Sequence, residues 1–319
     1  MRSPRRAGCC RRPCGDPSIE IVRGGVRGPR DAGGRGVKVL VTGARGMLAH
    51  ALIPALERVG HEVLGLDVED ADVSVPGSLV HSLKTFGPDW IFHLAAWTRV
   101  DDCESDPDRA HAVNALGSRN VALAAAACGA AMLTLSSDYV FDGHGTRPYR
   151  EYDAAAPRSV YGASKWAGEQ AVRELLPRHI VARTSWLFGS GGANFVDTVV
   201  KRARAGEGLR VVDDQRGSPT WTHDLSATLV RLAESSQFGT CHVTNSGDCT
   251  WWELADYAVR RAGLNVPIER TTSAALNRPA PRPAYSVLSN LMAERVTGRR
   301  MPHWHEAVDR YLESRSHTS

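Results

Sequence analysis

The 319-residue chain predicts an α/β protein built on a doubly wound parallel sheet. Three observations predict it. A buried strand, Lys38–Thr42, runs directly into the glycine turn Gly43-Ala44-Arg45-Gly46-Met47-Leu48-Ala49 and then a helix to about Val59. Short apolar strands then alternate with helical stretches as far as Ile180–Thr184. Beyond that point the βα rhythm is lost, as expected where a second region begins. The expected organisation has three parts: a disordered basic extension over residues 1–36, a Rossmann-type dinucleotide-binding domain over 37–186 to which about 222–247 returns, and a smaller C-terminal α/β substrate-binding domain made mostly of 187–319.

Composition narrows the class. Apolar content of 42% and charged content of 23% suit a soluble protein with a sizeable core. There is no run of about eighteen apolar residues, so no membrane span is expected. Cys9, Cys10, Cys14, Cys103, Cys128, Cys241 and Cys249 are odd in number and lack C-x-x-C spacing; a reducing cytoplasm fits them better than a disulfide framework or a zinc site. The net charge of +4 belongs to the extension: residues 1–36 hold nine arginines against three acids, which leaves the rest of the chain net acidic and argues against a nucleic-acid-binding core. No apolar stretch follows those arginines, so a secretory signal is not expected, and glycine, proline and acids argue against a transit-peptide helix.

In the glycine turn, Gly43 permits the tight bend, Gly46 lets backbone approach a pyrophosphate, and the helix N-terminus faces the phosphates. The second strand, His61–Leu66, closes on Asp67, 24 residues beyond Gly43. An acid there suits a ribose diol and NADH, whereas Arg45 inside the turn suits a 2′-phosphate and NADPH; the two cues oppose each other. A third strand, Asp89–Leu94, ends in Ala95-Ala96, small enough for a cofactor to lie against the sheet. Trp97–Glu104 reads as a loop whose Asp101, Asp102 and Glu104 form a solvated face rather than a metal site. Pro107–Cys128 reads as one long helix, in which Asn114 is either a structural polar residue or a bridge to backbone near the active site.

The fourth strand, Met132–Leu135, leads to Ser136-Ser137 at its carboxyl end, where ligands sit in open α/β sheets. Tyr161 and Lys165 lie four residues apart at the start of a helix running to about Glu174, so they share one face. A lysine ammonium held beside the phenol is expected to pull the tyrosine toward neutral pH. Lysine is scarce in the chain, with only Lys38, Lys84, Lys165 and Lys201 present. Glycine turn, strand-end serine and Y-x-x-x-K, in this order and on these elements, form a rare combination: a nucleotide site, a hydroxyl placed to hold a carbonyl, and a proton donor.

The C-terminal region reads as a strand at Arg210–Val212, a helix at His223–Glu234, a strand at Gly239–Thr244 and an amphipathic helix at Thr250–Ala262. Pro279-Ala280-Pro281-Arg282-Pro283 is rigid extended backbone, either a lid wall or a linker. A last helix runs from His305 to about Ser314, and His303 with His305 suits a surface or capping role rather than metal binding.

The segments Val41–Leu48, Phe92–Asp101, Ala112–Ala115, Ser136–Gly143, Val160–Lys165, Arg183–Gly189, Asn194–Val196, Asp214–Thr220 and Arg282–Ser286 together resemble the extended short-chain dehydrogenase/reductases, and within them the dTDP-4-dehydrorhamnose reductase family. The resemblance covers about Val37 to the C-terminus. It implies NADPH or NADH as cofactor and a dTDP-linked 4-keto-6-deoxy sugar as substrate, with hydride delivered to C4. By family position, Ser137 polarises the carbonyl, Tyr161 donates the proton, and Lys165 holds the nicotinamide ribose and lowers the tyrosine pKa. Gly43, Arg45, Gly46, Met47, Leu48, Asp67, Asp72, Val73, Ala95, Ala96 and Thr98 are implied on the cofactor side. Val100, Asp138, Tyr139, Trp186 and Arg282 are implied with Ser137 and Tyr161 on the substrate side. A metal is not carried over, since Ala51 and His223 stand where some members have glutamates. Tyr285 replaces a common asparagine, which bears on the identity of the sugar. A homodimer is left open, as are a related antibiotic-sugar reductase, such as one forming dTDP-dihydrostreptose, and a non-catalytic subunit resembling methionine adenosyltransferase beta.

Overall fold

Residues 36–235 and 237–316 are described by a computed structural model. The disorder expected of residues 1–36 therefore lies, apart from Gly36, outside the described residues. The first half contains β1 (Lys38–Thr42), α1 (Met47–Arg58), β2 (Glu62–Leu66), α2 (Val80–Phe86), β3 (Trp90–His93), α3 (Val100–Ser105), α4 (Pro107–His111), α5 (Gly117–Cys128), β4 (Ala131–Ser137), α6 (Val160–Leu175) and β5 (His179–Thr184). There follow β6 (Leu187–Phe188), α7 (Phe195–Arg204), β7 (Leu209–Val212), β8 (Arg216–Gly217), β9 (Thr220–Trp221), α8 (Thr222–Glu234) and β10 (Gly239–His242). The chain closes with β11 (Cys249–Thr250), α9 (Trp251–Arg261), β12 (Ile268–Thr271), α10 (Ser273–Leu276), α11 (Leu291–Thr297) and α12 (Trp304–Ser316).

Six strands form one parallel sheet in the order β10-β5-β4-β3-β1-β2. Successive strand residues point to opposite faces, so Val39 and Val41 of β1 pack with α1 and α8 while Leu40 packs with α2 and α5. Both faces are thus covered, which is why β1 reads as a continuous apolar run rather than an alternation. Strand order reverses direction between β1 and β3, and in such sheets the crevice beyond the carboxyl ends at that point takes the ligand. A separate core joins α7, α9 and α12 around Val196, Leu254, Ala258, Trp304 and Tyr311, with the short pairs β7–β12, β6–β9 and β8–β11 beside it.

Three local expectations are corrected. The expected loop Trp97–Glu104 ends in the helix α3, and its acids, still partly exposed, each take a partner. Asp101 pairs with Arg282, Asp102 with Arg99 at 2.9 Å, and Glu104 accepts the Val160 N–H at 2.7 Å. The expected single helix 107–128 is interrupted by a π turn over Ala112–Leu116, where the Asn114 side chain leaves the helix to bind backbone elsewhere. The last helix begins one residue earlier than expected, and His303 caps it by accepting the His305 N–H at 3.3 Å.

Candidate active site

The glycine turn lies where β1 and β3 diverge. Gly43 has φ +71°, and a Cβ there would sit 2.7 Å from the Ala95 backbone nitrogen, so both the turn and the approach of β3 require glycine. Gly46 precedes α1 without a side-chain cap, and the first turn of α1 contains no acid. Its free N–H groups and the positive end of a 12-residue helix form an anion cradle of the kind a pyrophosphate occupies. Asp67 reaches the same turn: Oδ2 accepts the Arg45 N–H at 2.8 Å and Oδ1 the Val68 N–H at 2.8 Å. The Arg45 guanidinium turns outward to Glu69 at 2.9 Å, an exposed pair worth little. Asp72 accepts from Ser74, and Val73 packs into the core while its carbonyl accepts from Asn120 at 3.0 Å. Met47, Ala95, Ala96 and Thr98 keep at least partial exposure, whereas Leu48 is a core residue.

Ser137, Tyr161 and Lys165 are brought together and buried, at 7%, 8% and 6% exposure. Ser159 caps α6 by accepting the Gly162 N–H at 3.1 Å, and Glu104 takes the Val160 N–H, so two side chains fix the turn that carries Tyr161. Gly162 lets that turn close on the 138–140 turn, since a Cβ would lie 2.2 Å from the Tyr139 carbonyl oxygen. Tyr139 meets Tyr161 edge to face at 5.4 Å, and both share an apolar cluster with Val100 and Trp97. Ser137 donates to Asp138 Oδ1 at 2.8 Å and accepts the Tyr139 N–H at 3.2 Å. Among the described residues, Asp138 Oδ2 and Ser286 Oγ are buried without a hydrogen bond of ordinary geometry. Burial pushes the Asp138 carboxyl up to about 6, against the nearby Ser286 and Ser137 hydroxyls, which pull it down.

The expectation that Lys165 lowers the Tyr161 pKa is corrected. Burial pushes the phenol above its ordinary value, the Ser137 side chain opposes this, and the charge of Asp138 reinforces it. Lys165 instead acts on His93, lowering its pKa. Its own ammonium is pulled down to about 8 by burial, with Glu169 opposing. Tyr161 is therefore a neutral phenol across the physiological range.

Beneath the pair lies a polar layer that sequence reasoning saw only in Asn114. That residue accepts the Trp97 N–H at 2.8 Å and donates to the Trp97 carbonyl at 3.1 Å and to Ser164 Oγ at 3.0 Å. Ser164 in turn donates to the Tyr161 carbonyl at 2.8 Å, so the bridge ends on the site helix. Ser118 spends its hydroxyl hydrogen on the Asn114 carbonyl at 2.7 Å, so it accepts from His93 Nε2, and His93 Nδ1 accepts from Thr42 at 2.8 Å. His93 is held neutral, its pKa lowered to about 3 first by burial and then by Lys165. Glu169, one turn beyond Lys165, accepts Arg183 Nε at 2.9 Å and Nη2 at 2.8 Å, and Arg173 Nη2 at 2.9 Å. Its position was readable, since Tyr161, Lys165 and Glu169 fall at i, i+4 and i+8.

The remaining expected residues stand around this centre. Arg282 lies beside Tyr139, but its guanidinium binds Asp101 in a bidentate pair of 2.6 and 2.8 Å that ties the proline-rich segment to α3. A cavity of about 120 Å³ lies there, between Tyr139, Arg158 and Pro283. Trp186 follows β5, whose Thr184 pairs with Ser137, and stacks on Trp251. Tyr285 donates its backbone N–H to the Gly143 carbonyl at 3.0 Å.

Residues 37–316 match the RmlD substrate binding domain family. The chain is 42% identical over 279 residues to the spore coat polysaccharide biosynthesis protein SpsK of Bacillus subtilis, covering 88% of this chain and 98% of that protein. It is 43% identical over 276 residues to a dTDP-4-dehydrorhamnose reductase of Streptomyces griseus, covering 84% and 91%. Among solved structures, a dTDP-4-dehydrorhamnose reductase of Bacillus anthracis in complex with NADP superposes with a TM-score of 0.85 at 36% identity, covering 88% of this chain and 99% of that one. With this coverage and the geometry above, the chain belongs to the dTDP-4-dehydrorhamnose reductase family.

Proposed function

We propose that this protein reduces the C4 keto group of a dTDP-linked 4-dehydro-6-deoxy sugar with NADPH or NADH, forming dTDP-L-rhamnose from dTDP-4-dehydro-L-rhamnose. The observation that carries the reading is the burial of Ser137 against Tyr161 at the carboxyl end of β4, in a sheet whose neighbouring switch point holds an uncapped glycine turn. Family membership supports it.

The residues fit a nicotinamide dinucleotide. The N–H groups at Met47 and Leu48, beside Gly46, would hold the pyrophosphate, Asp67 and Arg45 would meet the adenosine ribose, and Asp72 with Val73 would flank the adenine. Ala95, Ala96 and Thr98 leave room along β3, and Lys165 would hold the nicotinamide ribose. The bound cofactor supplies the hydride.

The protein's part is orientation and one proton. Ser137 Oγ, whose hydrogen rests on Asp138 Oδ1 at 2.8 Å and would turn from it to the substrate, and the Tyr161 hydroxyl are two donors for the carbonyl oxygen on which negative charge grows. A phenol kept neutral by burial still carries the proton that oxygen needs, and an alkoxide is far more basic than a phenolate. Val100, Asp138, Tyr139 and Trp186 would line the sugar-nucleotide pocket, with Arg282 fixing its proline-rich wall through Asp101. This reading divides the molecule into a cofactor domain over 37–186, joined by about 222–247, and a mostly substrate-binding region over 187–319.

The test is oxidation of NADPH and of NADH, followed by absorbance, across a small panel of dTDP-4-keto sugars. Tyr161→Phe should lower turnover by roughly a hundredfold or more while cofactor affinity stays near wild type. Full activity in that variant, or no oxidation with any sugar of the panel, would overturn the proposal.

A further inference from the structure

Trp186 has φ +48°, and besides Asn277 it is the one non-glycine among the described residues with a positive φ. A bulky side chain in the left-handed region is strained and persists only where its surroundings impose it. Those surroundings are visible. The Trp186 indole lies flat on that of Trp251, with centroids 3.7 Å apart and planes within 8°. Trp251 is itself fixed from two sides: its Nε1–H donates to Gln215 Oε1 at 3.1 Å, and Phe195 meets it edge-on at 4.7 Å. At the indole's nitrogen end the wall is the backbone of Gly217, where a Cβ would fall 2.5–2.8 Å from Cε2, Nε1 and Cζ2 of Trp186. The Trp186 carbonyl accepts the Thr220 N–H at 3.2 Å, and Ser185 donates to the Ser218 carbonyl at 2.7 Å, so main chain on both sides is pinned to the 216–221 segment. Trp186 nevertheless keeps part of its surface exposed.

We propose that Trp251 and Gly217 are positioning residues that hold Trp186 in its left-handed conformation, so that its indole forms a rigid wall for the nucleotide end of a dTDP-sugar. The proposal rests on the reading of Trp186 as a pocket residue given above. Neither Trp251 nor Gly217 need touch the substrate. Trp251 supplies the flat surface against which the indole is registered, and Gly217 supplies the absence of a side chain that lets the indole settle. An alanine methyl at Gly217 cannot coexist with the observed ring, because a stacked indole has no free rotamer into which to withdraw.

The experiment is a double-mutant cycle on dTDP affinity, measured by calorimetry on wild type, Trp186→Ala, Trp251→Ala and the double variant. Each single change is expected to weaken dTDP binding about tenfold, the loss of one aromatic contact, and the double change to be no worse than Trp186→Ala alone. Gly217→Ala should weaken binding comparably and raise the sugar-nucleotide KM more than it lowers kcat, and Trp251→Phe should restore most of the affinity lost in Trp251→Ala. Additive effects in the cycle, or unaltered affinity in both Trp251→Ala and Gly217→Ala, would overturn the positioning role. Absence of turnover by a wild-type protein that binds dTDP overturns the reaction assigned above and leaves the cycle readable. A wild-type protein that fails to bind dTDP overturns both.

Discussion

Asp138→Asn is predicted to stabilise the protein at neutral pH while damaging the site. Burial raises the Asp138 carboxyl from 3.8 to about 6, so the folded state resists its ionisation. That displacement of about 2 pH units corresponds to roughly 3 kcal/mol at ~1.4 kcal/mol each. The direction follows from proton binding. Between the two values the folded state holds more protons than the unfolded state, so stability is fully present below about pH 4 and is lost as pH rises through about 6. Asparagine removes the ionisation but preserves the contacts: its Oδ1 can accept from Ser137 as Asp138 does, and its amide can donate to Ser286 Oγ, which has no hydrogen bond of ordinary geometry among the described residues. Urea unfolding from pH 5 to 8 should show the variant gaining on wild type, about half of the roughly 3 kcal/mol being present by pH 5 and all of it above pH 7. A stability difference that stays flat over that range would refute the reasoning. The same variant should turn over the dTDP-sugar more slowly, because a carboxylate kept at such a cost is one a polar substrate uses.

Gly43→Ala should abolish cofactor binding or folding, since the added carbon would meet the Ala95 backbone at 2.7 Å; near-normal NADPH affinity measured by fluorescence would contradict this. Replacing Glu169 by leucine leaves the Arg183 guanidinium buried without its counter-charge and should cost about 3–5 kcal/mol in chemical denaturation, against under 1 kcal/mol for breaking the exposed Arg45–Glu69 pair. Turnover should decline as pH rises through about 8, where Lys165 loses its proton. In Glu169→Gln that decline should move to lower pH, because the charge that holds the ammonium up is gone; a pH–rate profile identical to wild type would count against Lys165 as the titrating group.

Local chemistry was legible in the sequence, and long-range chemistry was not. The order of strands, the glycine turn, the strand-end Ser137 and the Tyr161–Lys165 spacing follow from patterns that extend over a few residues, because backbone conformation and helical periodicity are set locally. Family membership likewise follows from motifs that keep their order along the chain. The direction of the Tyr161 pKa was misjudged for a different reason: spacing places Lys165 on the same helix face, but depth of burial and the positions of His93, Asp138 and Glu169 decide the electrostatics. The partners of Asp101 and Glu104, Arg282 and the Val160 N–H, could not be read because they lie 181 and 56 residues away. Sequence by itself singled out Ser137, Tyr161 and Lys165 as candidates and the elements that present them. Only the tertiary structure decided their protonation, the bridge of Asn114 to α6, and the strained stance of Trp186, because each depends on desolvation and contact between segments far apart in the chain.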